Sequence, residues 1–248
     1  MGRQVTGEQD QVEIVHLHKG VFDALAVLGT AVDVARRGDA DRPRHRPHSS
    51  GAIESGAAGY PVAVPKDETP FDELLETLKK VAGLLQDAEV PFLLGGGLAV
   101  WARGGPETVH DIDLMLRQPD AERALQVLAA AGLRTEEPPE GWLYKAFDGD
   151  VLVDLIFEPS GQPIEDSAFE CAEELNVNAV PLQVMALEDV FVTKLTALRE
   201  HELDYESVVQ MARPVREQVD WDVVRARTEK SPFAHAFFTL VEELGIVD

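Results

Sequence analysis

Asp111 and Asp113 stand one residue apart in the run His110-Asp111-Ile112-Asp113-Leu114-Met115-Leu116, and Asp111 lies fourteen residues after Gly97 of the triple glycine Gly95-Gly96-Gly97. Side chains of an extended strand alternate between faces, so the two carboxylates share one face while Ile112, Leu114 and Leu116 enter a core. This arrangement is half of a divalent-metal site. The glycine turn upstream opens a helix and offers bare backbone N–H groups to phosphate oxygens. A metal and a phosphate chain together imply a nucleotide ligand.

Asp-x-Asp alone is weak evidence. With 20 Asp in 248 residues, chance gives about 1.6 such pairs against the composition. The chain has four: Asp39/Asp41, Asp111/Asp113, Asp148/Asp150 and Asp220/Asp222. The first sits in a polar, proline-containing stretch, the third straddles a turn glycine, and the fourth flanks Trp221 at a helix start. Only Asp111/Asp113 lies in a strand-like apolar run behind a glycine turn.

A third carboxylate belongs to the argument. Asp154 is the sole ionisable group in Val151-Leu152-Val153-Asp154-Leu155-Ile156-Phe157, and an unpaired buried carboxylate is costly. It must lie at an exposed face, be protonated, or meet a cation. Lys145 offers one such cation: a two-residue Asp148-Gly149 turn would set it diagonally across a hairpin from Asp154, where it could equally contact a nucleotide. If Asp154 instead joins Asp111 and Asp113, three hard oxygen donors suit Mg²⁺ or Mn²⁺ with substrate phosphates as further ligands. No Cys/His cluster favours zinc. Two ions clamping the attacking and leaving oxygens make nucleotidyl transfer the reaction that fits this layout.

The elements that must position these groups follow from hydrophobic periodicity. Residues 1–37 read as a helical arm, helical over 9–37, and 38–66 as a flexible linker rich in Pro, Gly, Ser and Arg. A core over 67–186 begins with a helix at Thr69-Pro70, whose buried stripe is Phe71, Leu74, Leu75, Leu78, Val81, Ala82 and Leu85. A strand at 90–94, the glycine turn with a helix from Leu98, the strand 111–116 and a helix over 120–131 stopped by Gly132 come next. Then follow a hairpin (142–147 and 151–157) and one strand near 177–185. Residues 187–248 read as four helices, at 187–200, 205–213, 221–229 and 233–244. Trp101, Trp142, Phe233, Phe237 and Phe238 are read as core.

Composition narrows the class. The chain is 45% hydrophobic, enough for a substantial core, and its single cysteine, Cys171, excludes an internal disulfide framework and fits a reducing, cytoplasmic compartment. No apolar run approaches the roughly 18 residues that span a bilayer, and no secretory leader is evident. Of the net charge of -23, -22 falls from Lys66 onward. No long nucleic-acid groove is expected on so acidic a core.

Leu94-Gly95-Gly96-Gly97-Leu98-Ala99-Val100, the fifteen-residue step from Gly96 to Asp111, the Asp-Ile-Asp-Leu core and the later Asp154 resemble the polymerase-beta-type nucleotidyltransferase superfamily. The nearest likeness is to its small prokaryotic branch of antibiotic and toxin-antitoxin nucleotidyltransferases. The resemblance implies an α+β nucleotidyltransferase fold, a small mixed β-sheet flanked by helices. It implies Gly96 and Gly97 at the triphosphate, Asp111 and Asp113 binding both metals, and Asp154 ligating the ion that activates an acceptor hydroxyl. Lys194, on Leu187-Glu188-Asp189-Val190-Phe191-Val192-Thr193-Lys194-Leu195, matches the lysine that reaches a phosphate, and Arg199 with Asp204 resembles a basic-acidic connection.

Three positions depart from the pattern. Many relatives have Ser where this chain has Gly97, and Arg and Thr where it has Glu107 and Val109. The expected activity is therefore ATP binding and transfer of a nucleoside monophosphate from an NTP to a small-molecule or tRNA-end hydroxyl. The alternative is a catalytically silent nucleotide-sensing or protein-binding module of the same fold. Residues 9–37 are a candidate surface for a protein partner or self-association.

Overall fold

The apolar run bearing the carboxylate pair becomes strand β2 (Asp111–Met115), with Ile112 and Leu114 fully buried. The structure, a computed structural model, describes residues 70–108 and 110–247. The expected arm, the linker, Thr69 and Val109 lie outside these residues. Around β2 are β1 (Leu93–Leu94), β3 (Arg134–Glu136), β4 (Leu143–Asp148), β5 (Val151–Ile156), β6 (Glu173–Val177) and β7 (Val180–Val184), in the sheet order β3-β4-β5-β2-β1-β7-β6. β2 is therefore the middle strand. It runs parallel to β5 and antiparallel to β1.

Helices α1 (Phe71–Asp87) and α3 (Gln118–Ala130) pack together against the β2–β5 part of the sheet. The α1 side chains Lys80 and Thr77 reach Asp148 on β4 at 2.7 and 3.4 Å. Asp148 is three residues from Lys145, so alternation puts Lys145 on the face opposite α1. That second face carries α5 (Leu187–Ala197), in contact with α2 (Gly96–Trp101). α4 (Asp166–Glu170) is a single short turn, and α6 (Tyr205–Val215), α7 (Trp221–Arg227) and α8 (Pro232–Glu243) complete the helical C-terminal part.

Caps explain where the last helices begin. Asp204, Asp220 and Ser231 each accept a first-turn backbone N–H, from Ser207, Val223 and Ala234, satisfying donors that the helix leaves free. Phe191, Phe237 and Phe238 are fully buried, and Trp221 sits 4.8 Å from the Phe191 ring. Trp142 departs from expectation: it is 37% exposed at the start of β4. Trp101 does pack, edge-on to Phe71 at 5.0 Å.

Several boundaries moved for local reasons. The strand expected over 90–94 shrinks because Val90 N–H donates back to Leu85 O at 2.9 Å, closing α1, with Glu89 left-handed at φ 54. The same closure ends α3, with Gly132 at φ 89 in the left-handed position. α2 begins at Gly96 rather than Leu98. The single strand expected near 177–185 is instead the hairpin β6–β7, joined by Asn178 and Ala179 at φ 48 and 64. That turn type favours Asn-Gly, so an alanine in its second place conceals it. β3, Arg-Thr-Glu, is too short and polar to show a period and exists through pairing with β4.

Candidate active site

Parallel pairing of β2 with β5 sets Asp113 directly beside Asp154 and Asp111 beside Leu152. One carboxylate oxygen from each of Asp111, Asp113 and Asp154 lies within 4.8 Å of the others. Asp113 and Asp154 are 8% and 9% exposed. The structure thus brings together the three carboxylates that the sequence singles out, from two strands far apart along the chain.

The glycine turn abuts them. Gly95 N–H donates to Asp113 O at 2.8 Å, which docks the turn on β2. Gly96 has φ 53, and a Cβ built there would stand 1.7 Å from Asp113 Oδ2. Only glycine takes that backbone conformation while letting the carboxylate lie against its Cα. The first-turn N–H groups of α2 have no acceptor within the helix.

Two lysines flank the cluster. Lys194 on α5 places Nζ 3.7 Å from Asp113 Oδ2, and Lys145 on β4 places Nζ 3.7 Å from Asp154 Oδ1. Lys145 stands squarely opposite Asp154 instead of diagonal to it, because the hairpin turns at Gly149-Asp150, one residue later than expected. On its other side the backbone of Lys145 is in register with Glu136 of β3, whose carboxylate pairs with Arg134.

At 3.7 Å these contacts are ion pairs beyond hydrogen-bonding reach, and Asp154 Oδ1 is buried with no hydrogen-bond partner among the described residues. Burial, with Lys145 opposing and Asp113 and Asp111 adding, lifts the Asp154 carboxyl to about 7. Burial and then the charge of Asp113 lift Asp111 to about 6. The nearby Asp113 holds the Lys194 ammonium above its usual range. Asp154 and Asp111, raised in this way, resist ionisation until a cation joins them. A buried acidic triad with an unsatisfied oxygen fits a hard divalent ion.

The remaining candidates serve other ends. Arg199 donates to the carbonyls of Thr196 and Leu198 at the end of α5, and Asp204 caps the start of α6. His110 is exposed beside Asp111. Asp148 of the third Asp-x-Asp is taken by Lys80, and Asp220 of the fourth is the α7 cap.

A family model described as "Nucleotidyl transferase of unknown function (DUF2204)" matches residues 74–236. Among solved structures, the solution structure of the antibiotic-resistance factor ANT(2'')-Ia is 16% identical, with a TM-score of 0.51 over 71% of this chain and 99% of that one. The crystal structure of ANT(2'')-Ia in complex with adenylyl-2''-tobramycin is 17% identical, with a TM-score of 0.49 over 66% and 98% of the two chains. Lincomycin-bound LnuA, a lincosamide antibiotic adenylyltransferase, is 14% identical with a TM-score of 0.41 over 58% and 95%. No curated protein matches. The first of these likenesses shows a shared α+β fold.

Proposed function

Since this chain belongs to the nucleotidyl transferase family whose model spans residues 74–236, we propose that it moves a nucleoside monophosphate from an NTP to an acceptor hydroxyl. The observation that carries this reading is the convergence of Asp111, Asp113 and Asp154 within 4.8 Å beside the Gly96 turn. Mg²⁺, or Mn²⁺ in its place, would be held by these carboxylates and would neutralise charge on the phosphates and acidify the acceptor hydroxyl.

The chain's own groups account for the rest. First-turn amides at Gly96 and Gly97 face the phosphates, and Lys194 and Lys145 supply positive charge on either side of the carboxylates. Asp154, beside the ion it would hold, is placed to accept the acceptor's proton. The acceptor oxygen forms a bond to the α-phosphorus as the bond to the bridging oxygen breaks. Pyrophosphate leaves with that electron pair, and the proton passes to Asp154. We place this chemistry in a core over 67–186, with 187–248 lending Lys194.

The acceptor is a small molecule in preference to an RNA end, because residues from Lys66 onward carry -22 of the net charge and repel a polynucleotide backbone. Incubation with labelled NTPs and Mg²⁺, against pooled metabolites and against pooled tRNA, tests both statements. Acceptor-dependent pyrophosphate release, lost in Asp111→Ala, supports transfer, and labelling of tRNA alone reverses the choice of acceptor. If calorimetry finds no NTP binding by the wild type, the reading fails. Binding without turnover would instead favour a silent sensing module, the reading to which Gly97, Glu107 and Val109 point.

A further inference from the structure

We propose that Thr108 donates its hydroxyl to the phosphate chain of the nucleotide, in the space that a side chain at position 97 would otherwise fill. The inference rests on the nucleotidyl-transfer reading and adds a binding residue to it. Gly97 is the starting point, because its glycine needs an explanation different from that of Gly96. Gly96 is left-handed, at φ 53, whereas no such φ marks Gly97. Backbone conformation therefore does not demand a glycine at 97.

Space does. A Cβ on Gly97 would lie 3.0 Å from Thr108 Cβ and 3.1 Å from Thr108 Oγ1. The loop that leaves α2 thus returns over its first turn and lays the Thr108 side chain on the bare Cα of Gly97. A serine at 97, the residue of many relatives in the resembled superfamily, would need the room that Thr108 holds. The hydroxyl stands next to the same turn but comes from the strand-side loop, three residues before Asp111.

The environment of that hydroxyl points the same way. Thr108 is half-buried, and among the described residues its Oγ1 makes no hydrogen bond. Thr193, Thr196, Thr228 and Thr239 each donate to a backbone carbonyl one helical turn back. An unbonded hydroxyl beside a turn that docks on Asp113 is available to a ligand oxygen, and a bond to a charged oxygen is among the stronger kinds.

Full-length wild type, Thr108→Val and Thr108→Ser are to be titrated calorimetrically with each of the four common ribonucleoside triphosphates and with the matching monophosphates, all with Mg²⁺. A phosphate-chain contact predicts that Thr108→Val weakens triphosphate binding about 10- to 100-fold, with little change for the monophosphate or in nucleotide-free melting temperature. Thr108→Ser is expected to bind within about threefold of wild type, since it keeps the donor. Moving the hydroxyl back, in Gly97→Ser with Thr108→Ala, is expected to recover most of the affinity that Thr108→Ala loses. Equal triphosphate affinity in wild type and Thr108→Val overturns the proposal, as does an equal loss for triphosphate and monophosphate. Absence of binding by the wild type would instead overturn the nucleotidyl-transfer reading.

Discussion

Lys145 of β4 faces Asp154 of β5 squarely across the hairpin, Nζ to Oδ1 3.7 Å. Because Asp154 in turn neighbours Asp113 across β2, and Lys194 reaches Asp113 at 3.7 Å, charge runs plus, minus, minus, plus over three strands and a helix. The two inner carboxylates leave room for added positive charge between lysines that already restrain their repulsion.

Lys145→Met removes the cation that lowers the Asp154 carboxyl. Its titration should then move above about 7, and Mn²⁺ binding should need a higher pH than in wild type. Calorimetric Mn²⁺ titrations between pH 6 and 9 measure this. Coinciding wild-type and variant curves would show that Lys145 exerts no such control.

The raised carboxyls also fix the sign of the pH dependence of stability. Unfolded, Asp154 and Asp111 ionise near 3.8, but folded they do so near 7 and 6. The folded state therefore holds more protons between those values, so stability falls as pH rises through the window and the loss is complete above the folded values. Scanning calorimetry without divalent ions should find a lower melting temperature at pH 8 than at pH 5. Asp154→Asn should flatten that slope and stabilise the pH 8 protein by on the order of 1–3 kcal/mol. Saturating Mg²⁺ should flatten it too, and a wild-type slope of the opposite sign would contradict the assignment.

Gly96→Ala would drive a methyl into Asp113 Oδ2 and strain a residue at φ 53. The left-handed backbone alone costs about 1–2 kcal/mol, and displacing the carboxylate by roughly an ångström should lower kcat on the order of 100-fold. Steady-state kinetics with an acceptor identified by the labelled-NTP incubation, beside urea unfolding, separates the two losses. A fully active Gly96→Ala protein would mean that Asp113 need not lie against the turn.

Phe191 on α5 is fully buried and packs at a tilt against Trp221, ring centres 4.8 Å apart. Phe191→Ala should cost about 3–5 kcal/mol in urea unfolding. Since the same helix carries Lys194, triphosphate affinity should drop as well. Unchanged stability would show that α5 is held by other contacts.

How much was legible in advance is clearest at the turns. Gly132 ended α3 as expected because a left-handed C-terminal residue is a local, glycine-specific requirement. Glu89 and Ala179 adopt the same region without glycine, so neither announced itself. The hairpin turn fell one residue late, at Gly149-Asp150, where glycine at the first loop position suits the mirror-image turns of two-residue hairpins. That single step converted Lys145 from a diagonal neighbour of Asp154 into its direct partner.

Residue types, two-residue alternation around Asp111 and Asp113, and the glycine turn were enough to name the three carboxylates, since each depends on sterics within a few residues. Sequence order alone could not say that β5 would lie parallel beside β2, that α5 would bring Lys194 over Asp113, or that Thr108 would rest on Gly97. Those relationships come from strand register and helix packing, which the buried faces of the whole sheet settle together.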